Sequence, residues 1–123
     1  MNALDEAHFV YSNLAILGPE QRREAAVSLS EYGIFSRRGI ASLTGLTMRE
    51  VASVVNKTDR TGGKIVPDAL GDVIALRDLR ERGEMDVFLA RRVLGQMSAA
   101  FVSRLTGIPA ATLTRWKMKA DTL

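Results

Sequence analysis

Arg49, Ser53 and Asn56 follow one another at spacings of four and three residues, and together they offer a guanidinium fork, a hydroxyl and a carboxamide. Residues three and four apart share one face of a helix. That set suits base edges in a DNA major groove: arginine pairs bidentately with guanine O6 and N7, while Asn56 or Ser53 can meet adenine or a phosphate. The constellations that enzymes need are not found. There is no cysteine, and the one histidine, His8, sits on or beside the apolar face of an N-terminal helix, where a structural role is expected. No nucleophile has a partner base, no glycine loop has phosphate-binding spacing, and no carboxylate pair has a reason to be perturbed. The sequence indicates no catalytic residue, no cofactor and no metal ligand.

The polar trio needs a rigid mount, and the segment Ser36–Lys57, SRRGIASLTGLTMREVASVVNK, supplies one. It reads as two short helices joined at Gly45, which can take a positive φ cheaply and so open a tight turn. Small Ala41 permits close helix crossing four residues earlier, and Ile40, Leu46, Val51 and Val54 supply the apolar contacts. Thr47 and Glu50 form a T-x-x-E capping box at the start of the second helix. This is the pattern of a DNA-binding helix-turn-helix. Its outward face comprises Thr47, Met48, Arg49, Ser53 and Asn56, with Arg37 and Arg38 placed for phosphate.

Shifted by 62 residues without a gap, the motif recurs. Gly33 falls on Gly95, Ser36 on Ser98, and Leu43-Thr44-Gly45 on Leu105-Thr106-Gly107; Ile40, Leu46, Val51 and Val54 fall on Val102, Ile108, Leu113 and Trp116. A second reading helix would then present Ala110, Ala111, Thr114, Arg115, Lys117, Met118 and Lys119, with Trp116 inward. The two alanines suit thymine methyls or close approach, Thr114 and Arg115 carry polar readout, and Lys117 and Lys119 track phosphate. Self-similarity at this period argues for tandem domains.

The remaining elements follow from periodicity and breakers. Helices are expected over residues 3–17, 19–32, 36–44, 48–56, 67–82, 84–94, 98–106 and 110–119. Residues 57–66, with Gly62-Gly63, read as a linker whose bases Lys57, Arg60 and Lys64 follow a phosphate strand, enter a minor groove, or are simply solvated. The expected fold is all-α: two small helical domains, residues 1–62 and 63–123, each ending in a helix-turn-helix. Charge collects accordingly. Residues 1–35 carry −3, 36–64 carry +4, 65–97 carry −1, and 98–123 carry +3. Two separated positive blocks are what two phosphate-facing surfaces require. The absence of cysteine, a basic leader or a long apolar run leads to the expectation of a soluble, cytoplasmic protein.

Two unequal heads on one chain imply a monomer on an asymmetric site in double-stranded DNA, reading two adjacent major-groove segments. Ten extended linker residues span at most about 33–36 Å, comparable with the roughly 34 Å of one helical turn of DNA. The chain resembles the small immunity repressors of temperate mycobacteriophages, in its size, its RRGIASLTGLTMREVASVV helix-turn-helix, its lack of cysteine and its second DNA-binding region. The resemblance implies a monomeric transcriptional repressor that maintains lysogeny and confers superinfection immunity through many short asymmetric sites. It puts DNA contact on Arg49, Ser53 and Asn56, and on Thr114 and Arg115. Two other classes fit the residues: an accessory DNA-binder of a recombinase or excisionase system, and an antitoxin-like or sigma-like helical adaptor using its alanine-rich last helix on a protein.

Overall fold

A computed structural model describes residues 1–56, 58–59 and 62–123. Among these residues there are eight α-helices and no strand: α1 (Ala3–Ser12), α2 (Pro19–Ser30), α3 (Arg37–Thr44), α4 (Met48–Val54), α5 (Leu70–Glu81), α6 (Val87–Leu94), α7 (Ala99–Thr106) and α8 (Ala110–Asp121). The chain divides into two compact units, Met1–Pro67 and Asp68–Leu123. No helix among the described residues is long and apolar enough to cross a membrane.

In the first unit, α1 and α2 pack on α3, and α2 also packs on α4. Leu4, Ala7, Leu29, Phe35, Ile40, Leu43 and Val51 are fully or almost fully buried. Helix α1 stops five residues short of its expected end. The Asn13 carboxamide donates to the Phe9 carbonyl at 2.7 Å, and the chain tightens into a 3₁₀ turn over Leu14–Ile16. The Arg22 guanidinium stabilises that turn, donating to the carbonyls of Leu14 at 2.6 Å and Leu17 at 3.1 Å. The tighter winding leaves Ala15 and Ile16 exposed.

In the second unit, α6 and α7 pack against α8, and α5 packs on both α6 and α7. The core holds Leu70, Val73, Leu76, Ala90, Val93, Phe101, Val102 and Leu113. A 3₁₀ turn at Pro67–Ala69 precedes α5. Helix α6 starts three residues later than the apolar pattern suggests, because Asp86 is its cap and accepts the Leu89 N–H at 3.0 Å. Helix α6 buries Val87, Leu89, Ala90 and Val93, which leaves Phe88 facing outward: it is 53% exposed, with the Arg91 guanidinium 5.6 Å from its ring centre.

The stretch expected to be a linker is in large part attached to the first unit. The Asp59 N–H donates to the Phe35 carbonyl at 3.1 Å, and the Gly62 N–H to the Asp59 carbonyl at 3.2 Å. Ile65 is buried beside Gly39, and a Cβ on Gly62 would lie 2.9 Å from the Ser36 backbone nitrogen. Residues 62–67 therefore group with the first unit. Of the linker bases, Lys64 is exposed, while Lys57 and Arg60 lie outside the described residues.

Candidate nucleic-acid interface

Each unit contains a pair of short helices joined by a glycine turn, and the two pairs share their local construction. Ser36 Oγ accepts the Gly39 N–H at 3.0 Å, and Ser98 Oγ accepts the Phe101 N–H at 3.2 Å, so each first helix opens on a serine cap. Nine residues after each cap the helices end on Gly45 and Gly107, with φ of 72° and 80°. Their N–H groups bond the carbonyls of Ala41 and Ser103 at 2.9 and 2.8 Å. The preceding threonine forms a second tie. Thr44 Oγ1 donates to the Ile40 carbonyl at 2.7 Å and accepts from the Leu46 N–H at 3.4 Å. Thr106 Oγ1 does the same with Val102 at 2.8 Å and Ile108 at 3.1 Å. The second helices then begin at Met48 and Ala110, again 62 residues apart. Gly33 and Gly95 are not conformational equivalents: Gly33 has φ 70°, whereas Gly95 has φ −74°.

The second helices start differently. Thr47 Oγ1 accepts the Glu50 N–H at 3.1 Å, and the Glu50 carboxylate accepts the Thr47 N–H at 3.1 Å, completing the capping box. The backbone N–H of Thr47 and then its side chain hold the Glu50 carboxyl below its ordinary value of 4.5. Pro109 makes no side-chain cap at the head of α8.

On the first pair, Thr47, Met48, Arg49, Ser53 and Asn56 are all exposed, as are Arg37 and Arg38. Helix α4 ends at Val54, so Asn56 stands just past the helix and not on it. Val54, expected inward, is only half-buried. Val55 fills the core as the chain leaves the helix in an extended conformation. Sequence periodicity misses Val55 because the helical period has already ended there. The Ser53 hydroxyl donates to the Glu50 carbonyl at 2.7 Å, which leaves its oxygen free to accept from a base amino group. Glu50 is committed to the cap, and among the described residues Arg37, Arg38, Arg49 and Lys64 are in no ion pair.

On the second pair, Ala111, Thr114, Arg115, Met118 and Lys119 are exposed, while Ala110, Trp116 and Lys117 are half-buried. Arg115 Nη2 donates to Thr112 Oγ1 at 3.2 Å, one turn back towards the helix start. Thr112 does not stand out in the sequence; its signal is the i, i+3 spacing to Arg115. Elsewhere in this unit basic side chains meet acids: Arg77 with Asp78, Arg82 with Glu84, Arg91 with Asp121 and Arg92 with Asp72, at 3.0 to 4.0 Å. Among the described residues, Arg115, Lys117 and Lys119 on α8 are in no such pair. Arg80 on α5 is exposed and also lacks an acid partner among them.

Among the described residues no group of three or more His, Cys, Asp or Glu is arranged to hold a metal ion. Comparison with protein-family models, with characterised proteins and with solved structures finds no match.

Proposed function

We propose that this chain is a sequence-specific double-stranded-DNA-binding transcriptional repressor of a temperate phage, acting as a monomer on a short asymmetric site through two helix-turn-helix heads. The observation that carries this reading is the coincidence of turn and surface. Two helix pairs share a serine cap, a threonine tie and a left-handed glycine, and each second helix bears exposed basic side chains, Arg49 on α4 and Arg115 and Lys119 on α8, in no ion pair among the described residues. A helix mounted at a fixed angle with an unneutralised polar face is the part such proteins insert into the major groove.

On this reading α4 is the principal head. Arg49 takes a guanine, Ser53 accepts from a base amino group, and Arg37 and Arg38 hold the backbone. Helix α8 brings Ala110 and Ala111 to thymine methyls, with Thr114 and Arg115 for polar contacts and Lys117 and Lys119 for phosphate. Because Asp59, Gly62 and Ile65 are held by the first unit, the tether joining the heads is shorter than ten residues. A short tether raises the effective concentration of the second head, provided its site lies within reach. Lysogeny maintenance and superinfection immunity follow from the resemblance to mycobacteriophage immunity repressors, and the cytoplasm of a bacterial host is the corresponding location. One observation favours a different class: Ala111 and Met118 are exposed on α8, and Met118 is 62% exposed, a surface that also suits a protein partner.

The test is selection of bound duplexes from a random pool at near-physiological salt, with the stoichiometry of the selected complex measured by mass. One chain on a short asymmetric site supports the proposal. Two chains on a palindrome overturn the monomeric mechanism, and failure to enrich any sequence favours the adaptor.

A further inference from the structure

The segment following α4 does more than connect. Thr58 and Asp59 lie in a shallow hollow with Arg37, Arg38 and Met48, beside the start of the reading helix. Further along, Gly62, Lys64 and Ile65 wall a separate cleft of about 570 Å³, whose opposite side is Ser36, Arg38, Gly39 and Ser42. Two exposed cations from segments 26 residues apart in sequence thus line one cleft, and neither is in an ion pair among the described residues. A cleft lined by cations and, among the described residues, by no carboxylate favours an anion. Gly62 makes the approach possible: a Cβ there would meet backbone of Ser36, Asp59 and Ile34 at 2.9 to 3.1 Å. Gly39 does so on the other wall, where a Cβ would lie 3.3 Å from Ser36 Oγ and 3.4 Å from Ile65 Cγ2.

We infer that residues 62–65 fold back to complete a phosphate clamp, in which Arg38 and Lys64 flank a single backbone phosphate of the duplex bound by α4. The inference rests on the DNA-binding reading and adds to it a stoichiometry: two cations, one phosphate. Counterion release counts phosphates neutralised, with a slope of about −0.9 per phosphate in log affinity against log salt. Two cations on separate phosphates therefore lower the slope by about 1.8 when both are removed, and two cations on one phosphate by about 0.9.

The experiment measures that slope on a selected duplex for the full chain and for Arg38→Gln, Lys64→Gln and the double variant, with circular dichroism to confirm helix content. Both positions are exposed, so folding should persist. The clamp predicts that either single change weakens binding, that the double variant loses about one unit of slope, and that the ranking of duplex sequences does not change. A double-variant loss near two units assigns separate phosphates and overturns the clamp. Unchanged slopes and affinities in all three variants overturn it as well, while leaving the DNA-binding reading intact if the parent chain binds. A parent chain whose duplex affinity does not depend on salt sinks both. Inorganic phosphate serves as the free-anion control: amide shifts of Gly39 and Ile65 at millimolar phosphate, without competition against duplex, mark an anion pocket unrelated to DNA and overturn the clamp.

Discussion

Gly45 and Gly107 occupy the same place in two similar turns, yet their substitution should have unequal consequences. Both sit at positive φ, 72° and 80°, and forcing an L-residue into that region costs about 1–2 kcal/mol. At Gly107 an added Cβ has nothing within 4 Å, so Gly107→Ala should cost that amount and little more. At Gly45 the same Cβ would lie 2.7 Å from Arg22 Nη1. The guanidinium is held by bonds to the Leu14 and Leu17 carbonyls, and a hydrogen bond to a charged group contributes about 1.5–3 kcal/mol. Displacing the end of a flexible side chain sacrifices part of that, so Gly45→Ala should cost about 2–4 kcal/mol. A chain of two units need not unfold in one step, and native-state hydrogen exchange is the suitable assay because it reports each unit separately. Protection of the Leu43 and Val51 amides reads the first unit, and protection of Val93 and Leu113 the second. In an Arg22→Met background, Gly45→Ala should fall back to the cost of Gly107→Ala, giving a coupling of about 1–2 kcal/mol in the double-mutant cycle. Equal costs at the two glycines, or no coupling to Arg22, would refute the reasoning that the guanidinium crowds the turn.

The other predictions concern the proposed DNA-binding reading and the capping box. Arg49→Ala should relax preference at one base pair by about 1–3 kcal/mol, read as loss of discrimination in competition binding against single-substituted duplexes. Lys117→Ala should instead weaken all duplexes alike and reduce the salt slope by about one. Thr47→Ala removes half the capping box and should lower protection of the first unit by about 1 kcal/mol. The box also predicts a pH limb. The pKa of Glu50 is lowered by folding, so its contribution is complete above the ordinary carboxylate value and is lost as pH falls through the lowered one. Exchange protection of the first unit should therefore decline with acidification below about 4.5 in the parent chain, and that decline should be smaller in Glu50→Gln, which has no carboxyl to titrate. Equal acid limbs in the two proteins would remove Glu50 from the account.

Much of the local structure was legible because local chemistry decides it. Ser36, Thr47 and Ser98 cap helices through their own side chains, and Gly45 and Gly107 take the one conformation their neighbours disfavour. Those boundaries were readable to the residue. What could not be read depends on contacts distant in sequence. Helix α1 ends early because Arg22, eight residues beyond Leu14, offers its carbonyl a better partner than another helical turn. The stretch after Asn56 has no period, yet Ile65 finds Gly39 and Asp59 finds Phe35. Asp86 is a local exception: it caps α6 through the Leu89 N–H three residues on, but Met85, Val87 and Phe88 around it read as one continuous apolar run. For the candidate site, residue type and face were readable, but Asn56's place beyond the helix and Arg115's bond to Thr112 were not.

The identities between the two motifs bear on mount and reading differently. Leu-Thr-Gly recurs because the turn uses each member: leucine fills the core, threonine ties a carbonyl one helical turn back to the first amide past the glycine, and glycine reverses the chain. Any sequence building this turn with these parts would converge on the same three residues, so the identity argues for shared geometry and says nothing about a shared target. Target choice lies where the motifs diverge. Thr47, Met48 and Arg49 give the first helix a capped start with an exposed cation. Pro109, Ala110 and Ala111 give the second an uncapped start with apolar side chains alone. A guanidinium seeks guanine, and a methyl surface seeks thymine methyls. On the proposed DNA-binding reading, two helices with starts this different should not both be satisfied by a symmetric sequence. An operator half suited to α4 should fail against α8, and exchanging residues 47–49 with 109–111 should exchange the two halves of the selected site.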